Sequence, residues 1–150
     1  MIEASQASGS TIDLGSGTTT LTAGDFDTVY AGSGNDFVYT ARGSSIVTGS
    51  GSDTLAFGVG VKAQAPGTIG ACVVADYNLN SNGQYENGET VEISKSFLSV
   101  QGLADAIKTA NCESQASVDQ NGRTLKIDDK GDSITFLSGD KLDASHFKLV

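Results

Sequence analysis

Apolar residues recur through the first 60 positions at intervals that alternate between 9 and 8: Ile12, Leu21, Val29, Val38, Ile46 and Leu55. Five of them sit in short runs rich in β-branched and aromatic residues: Thr20-Leu21-Thr22, Thr28-Val29-Tyr30, Phe37-Val38-Tyr39, Ser45-Ile46-Val47 and Thr54-Leu55-Ala56. Such runs are too short for helices and favour pleated backbone. Between them Gly-Ser-Gly returns at 15–17, 32–34 and 49–51, each copy 17 residues after the last. The same step relates Thr19, Asp36 and Asp53, and also Ser10, Asp27 and Ser44. A three-residue strand buries too little to stand alone and is stable only if the next coil stacks on it. The expected fold is therefore mainly β. Residues 1–65 should form a right-handed parallel β-roll, or β-solenoid, with two short strands per coil and glycine supplying positive φ at the corners. A flexible Gly/Ser linker would show no such aligned ladder.

The repeat fades after Ala56, and Ala65-Pro66-Gly67 reads as a breaker, so 66–150 is expected to be a second, β-rich part. Strands are expected over 71–75, 90–94, 124–127, 134–137 and 146–150, with turns at Asn121-Gly122 and Lys130-Gly131-Asp132. Leu103, Ala106, Ile107 and Ala110 share one face at helical spacing, which predicts one helix over about 99–111. Ser99 suits its N-cap, Leu98 can staple onto Leu103, and Asn111 suits its end. The helix should cover a face or an open end of the stack.

Charge narrows the function. Eighteen Asp and Glu against nine Lys and Arg leave a net charge of −9. That argues against nucleic acid and against docking by charge onto anionic membranes. No run approaches the ~20 apolar residues of a membrane span, and the first residues lack the basic-then-apolar layout of a signal peptide. The excess of acid favours a divalent cation as partner.

Residues 31–39 and 48–56, within a repeat covering about 10–60, resemble the nonapeptide of RTX (hemolysin-type) calcium-binding repeats. The resemblance implies that turn carbonyls at Gly32, Gly34, Gly49 and Gly51, with Asp36 and Asp53 from stacked coils, enclose Ca2+. Calcium takes 6–8 oxygens, and two aspartates brought close repel without a cation. Thr19 stands where a third acid would complete that edge. The other edge keeps only Asp27, between Ser10 and Ser44, and so offers a weaker site. A Ser/Thr-lined stack with few or no ions is the alternative.

A second signature, over 76–89, resembles an EF-hand loop. Counting from Asn78, oxygen donors fall at Asn80, Asn82, Gln84, Glu86 and Glu89, with Gly83 at the sharp turn. Asn in place of Asp at three positions lowers the charge, and Asp76 just upstream can restore one. Strands on both flanks make it an EF-like loop in a β setting; an Asn/Gly-rich hairpin turn is the other reading.

Cys72 and Cys112 are the two cysteines. In an extracellular module they could pair; otherwise they are two small buried thiols. His146 stands alone, without a nucleophile elbow or a conventional zinc set, so no catalytic activity is expected. Outward aromatics Phe37, Tyr39 and Tyr30 leave contact with a cell-surface glycan, or with other parts of a larger surface protein, open. The expectation is a calcium-binding structural or adhesive module of a secreted or surface bacterial protein, stabilised by external Ca2+. The alternative is a non-catalytic C-terminal module of a secreted polysaccharide- or protein-degrading enzyme, used for targeting, secretion or glycan contact.

Overall fold

The computed structural model describes residues 1–59, 69–77, 88–113, 122–128, 130–137 and 141–150. Its strands are β1 (Ile2–Glu3), β2 (Thr11–Asp13), β3 (Thr20–Thr22), β4 (Thr28–Tyr30), β5 (Phe37–Thr40), β6 (Ser45–Val47), β7 (Thr54–Phe57), β8 (Ala71–Val74), β9 (Thr90–Ile93), β10 (Arg123–Lys126), β11 (Ser133–Phe136) and β12 (Phe147–Leu149), with one α-helix, α1 (Val100–Glu113). They form two six-stranded sheets, ordered β1-β3-β5-β7-β9-β12 and β10-β11-β8-β6-β4-β2. Successive strands from β1 to β9 alternate between the sheets. Every pairing is parallel except β10 with β11.

The 17-residue step is the register itself. Leu21 lies opposite Val38 and Val38 opposite Leu55, while Ile12 is opposite Val29 and Val29 opposite Ile46. From Leu21 to Leu55 these ladder residues are fully buried, so each coil extends one continuous apolar column. At roughly 1.5–3 kcal/mol per buried aliphatic side chain, the columns are the main stabilising term of the first half. The step then lengthens to 28 residues between Ile46 and Val74 and to 36 between Leu55 and Val91. The sheets nevertheless continue across the breaker at 65–67, because β8 and β9 pair with β6 and β7.

Helix α1 begins where Ser99 Oγ accepts the N–H of Gly102 at 3.0 Å. It buries Leu103, Ile107 and Ala110 and packs on β10. It runs two residues past Asn111, whose side-chain amide instead reaches the backbone of Leu142, donating to its carbonyl at 2.9 Å and accepting its N–H at 2.8 Å. Arg123 Nη1 donates to the Asn111 carbonyl at 3.1 Å, a cation at the negative end of the helix dipole. The expected last strand starts one residue later than the sequence suggested. His146 closes a 3₁₀ turn, Ala144–His146, capped by Asp143, which accepts the Ser145 N–H at 2.9 Å. That hydrogen bond holds the Asp143 carboxyl below its ordinary pKa. His146 Nδ1 lies 3.1 Å from the buried Tyr77 hydroxyl, and the Tyr77 ring packs on Phe136.

Candidate functional site

Parallel pairing sets one residue of each coil directly above its equivalent in the coil before. Because Thr20, Phe37, Thr54 and Thr90 are partners in register, Thr19, Asp36, Asp53 and Glu89 form a column at the corner that enters the first sheet. All three acids are buried, Asp36 at 2% exposure. Asp36 Oδ1 accepts the backbone N–H of Thr19 at 2.6 Å, and Asp53 Oδ1 accepts that of Asp36 at 2.8 Å. Each of these two carboxylates reaches back one coil and satisfies a corner N–H. Among the described residues, Asp36 Oδ2 has no hydrogen-bond partner. Burial pushes the Asp36 carboxyl above its ordinary value, and the Thr19 N–H only partly offsets this.

Two signatures read separately from the sequence meet here. Glu89, the last position of the EF-like loop, stands on the column begun by Asp36 and Asp53. The other loop positions, Asn78, Asn80, Asn82, Gln84 and Glu86, lie outside the described residues. Asp76 Oδ1 accepts from Thr48 N at 2.7 Å and from Thr48 Oγ1 at 3.0 Å, and Oδ2 accepts from Gly49 N at 2.8 Å. Those donors belong to the glycine turn of the neighbouring coil.

The turn glycines are required chiefly by proximity. A Cβ at Gly32 would strike the Gly15 carbonyl, at Gly34 that of Gly17, at Gly49 that of Gly32 and at Gly51 that of Gly34. Gly34 shows this most clearly, since its φ is not positive. Two of the turn carbonyls join coils, Gly15 O accepting from Ser33 N at 2.9 Å and Gly32 O from Ser50 N at 2.8 Å.

On the other edge both oxygens of Asp27 are engaged, by Ser10 N and Gly24 N at 2.8 Å each. Next on that column come Ser44, donating to Ala41 O at 2.9 Å, and Cys72, donating to Ile69 O at 3.2 Å. Burial raises the Cys72 thiol to about 11. The expected Cys72–Cys112 bridge is not formed: both are free thiols, Cys72 turned into the core and Cys112 exposed near the end of α1.

Sequence reasoning passed over Asn35, whose Oδ1 accepts the Ser52 N–H at 2.8 Å, and the partnership of Phe26 and Arg42 beside Asp25. Both obey the 17-residue step, so the signal was present. The outward aromatics also divide: Phe37 and Tyr39 pack with tilted rings at 4.7 Å on the first sheet, and Tyr30 stands on the second.

For a hard cation the column offers oxygen donors of the right chemistry, including one buried carboxylate oxygen without a partner. Among the described residues, however, no three His, Cys, Asp or Glu side chains gather closely enough to hold a metal ion. No family model, curated protein or solved structure matches the chain.

Proposed function

We propose that this chain is a parallel β-roll module of a secreted or cell-surface bacterial protein, structural or adhesive rather than catalytic, whose folding is stabilised by external Ca2+ at the Asp36–Asp53–Glu89 column. The observation that carries this reading is the unpartnered, buried Oδ2 of Asp36 in a file of three buried acids. Like charges so placed oppose folding unless they are protonated or neutralised. Bound calcium supplies that neutralising charge and draws on carboxylate and carbonyl oxygens. The chain's own residues set the response: the glycine turns bring the coils close, the register stacks the acids, and the column is complete only when the coils are in place. A cation taken only by the folded form stabilises it by RT ln(1 + [Ca2+]/Kd), about 2.7 kcal/mol at a hundredfold excess over Kd.

Thermal unfolding followed by circular dichroism, in millimolar CaCl2, in MgCl2 and in EDTA, tests the reading. A rise in Tm specific to calcium supports it, and an unchanged melt rejects it. A second reading rests on the hydrogen bonds of Asp36 and Asp53 to backbone N–H groups: the carboxylates act as ion-free staples between coils, and the module is structural without calcium. The unchanged melt is the outcome it requires.

A further inference from the structure

Four stacked turns leading into the second sheet each contain one residue in left-handed backbone: Gly9 (φ 67°), Phe26 (φ 60°), Gly43 (φ 69°) and Gly70 (φ 67°). Backbone bonds tie them in a ladder, with Gly9 N to Asp25 O at 2.9 Å, Phe26 N to Arg42 O at 2.8 Å and Gly43 N to Ile69 O at 3.0 Å. Glycine adopts this conformation freely, whereas a Cβ makes it about 1–2 kcal/mol less favourable. Phe26 is the one non-glycine residue with positive φ among the described residues. A bulky side chain in a glycine slot points to a use for that side chain. The use is not core packing, since Phe26 is 53% exposed.

Neighbours hold the ring in place. Arg42 lies over it with Cζ 5.0 Å from the centroid, and Gly43 approaches so closely that a Cβ there would enter the ring. Asp25 Oδ1 accepts the Arg42 backbone N–H at 3.2 Å, and Oδ2 lies 3.7 Å from Arg42 Nε. The guanidinium is thereby oriented and its charge balanced. Along β4, Val29 faces the core, so Thr28 and Tyr30 face outward. Tyr30 is 44% exposed and follows Phe26 by four residues. Thr11 and Ser45 flank Thr28 in register, so a row of hydroxyl residues runs across β2, β4 and β6.

We propose that this outer face, from Phe26 to Tyr30, binds a neutral, hydroxyl-rich glycan chain. The exposed rings of Phe26 and Tyr30 suit the C–H faces of sugars, and the hydroxyl row at Thr28 and the Arg42 fork suit sugar oxygens. Charge selects among glycans. Arg42 is already matched by Asp25, and the chain carries −9 overall, so a polyanion finds no surplus cation. This inference goes beyond the calcium reading and depends only on the two sheets.

The test is affinity electrophoresis of the full chain in calcium buffer, through gels containing hydroxyethyl cellulose, galactomannan or laminarin, with alginate as the anionic control. Retardation by at least one neutral polymer and not by alginate is expected. Phe26→Gly removes the ring and its strained backbone together. It should weaken retardation about tenfold or more, as truncation of an aromatic anchor does, while Tm holds or rises. If that variant melts early, Tyr30→Ala decides, with the same loss expected. Absence of retardation in all three neutral gels, retardation by alginate alone, or unchanged retardation of both variants overturns the proposal. So does wild-type self-association that Phe26→Gly abolishes, seen by size-exclusion chromatography, which would give the face to a second copy. The calcium melt is read separately, so either idea can fail alone.

Discussion

Asp53 accepts the backbone N–H of Asp36 at 2.8 Å, so two acids one coil apart are joined through the main chain of one and the side chain of the other. A carboxylate that accepts a backbone N–H is a strong, charge-assisted staple. It also leaves a negative charge inside the stack. Asp36 carries both consequences, with Oδ1 bonded to Thr19 N and Oδ2 buried without a partner.

Asp36→Asn separates them. The amide oxygen can still accept from Thr19 while the charge is gone. In EDTA at neutral pH the variant should melt a few degrees above wild type, about 1 kcal/mol at roughly 2–4 °C per kcal/mol for this length, and its response to calcium should shrink. The pH dependence has a definite sign. The folded pKa lies above the unfolded value of 3.8, so the contribution of this group to stability is full below 3.8 and is lost as pH rises through the folded pKa. The difference in Tm between variant and wild type should therefore narrow as the pH of the EDTA buffer is lowered from neutral toward 4.

Gly17 and Gly34 occupy the same place in successive coils but have different surroundings. A methyl at Gly34 meets the Gly17 carbonyl, and a methyl at Gly17 meets nothing within 4 Å. Neither position has a positive φ. Gly34→Ala should cost about 2 kcal/mol or more by forcing coils apart. Gly17→Ala should be neutral or stabilise by about 0.4–1 kcal/mol through the unfolded chain. Urea melts of the two variants check this, and equal losses would show that the turns need glycine for conformation alone.

That contrast also shows where sequence reading reached. Leu21, Val38 and Leu55 announce their register because equal coils put equal residues opposite each other, and the strands from β3 to β7 follow. Beyond Phe57 the coils differ in length, and no periodicity tells that Val91 belongs beside Leu55 or Val74 beside Ile46. Glu89 was therefore read as the end of a separate loop, although Thr90 pairs with Thr54 and sets it on the aspartate column. The bonds of Asp76 to Thr48 and Gly49, 28 and 27 residues away, are hidden from the sequence for the same reason. Phe26 was legible in principle, since Gly9, Phe26 and Gly43 keep the 17-residue step, but attention to acids and apolar positions passed it by.

The two thiols should behave differently toward alkylation. Cys112 is exposed, whereas Cys72 is buried and its pKa is raised to about 11. Since the thiolate is the reactive form, native protein should take up one equivalent of iodoacetamide at Cys112 and a second only in denaturant. Tm should be the same with and without reductant. Two protected cysteines in purified native protein, freed by reductant, would show that the bridge forms after all.

Asp76 closes the glycine-turn ladder from above and accepts three hydrogen bonds, from Thr48 N, Thr48 Oγ1 and Gly49 N. Thr48 is buried, so removing the carboxylate strands a donor out of water, at a cost of about 1–3 kcal/mol for each orphaned group. Asp76→Ala should lower stability by about 3 kcal/mol, and Asp76→Asn by less, because one amide oxygen can still accept from Thr48. Both variants should keep the calcium-induced rise in Tm, because the two oxygens of Asp76 are spent on backbone and hydroxyl donors rather than on the Asp36 column. Loss of that rise in Asp76→Asn, with the fold intact by circular dichroism, would instead place Asp76 among the cation's ligands and move the site to the 48–49 corner.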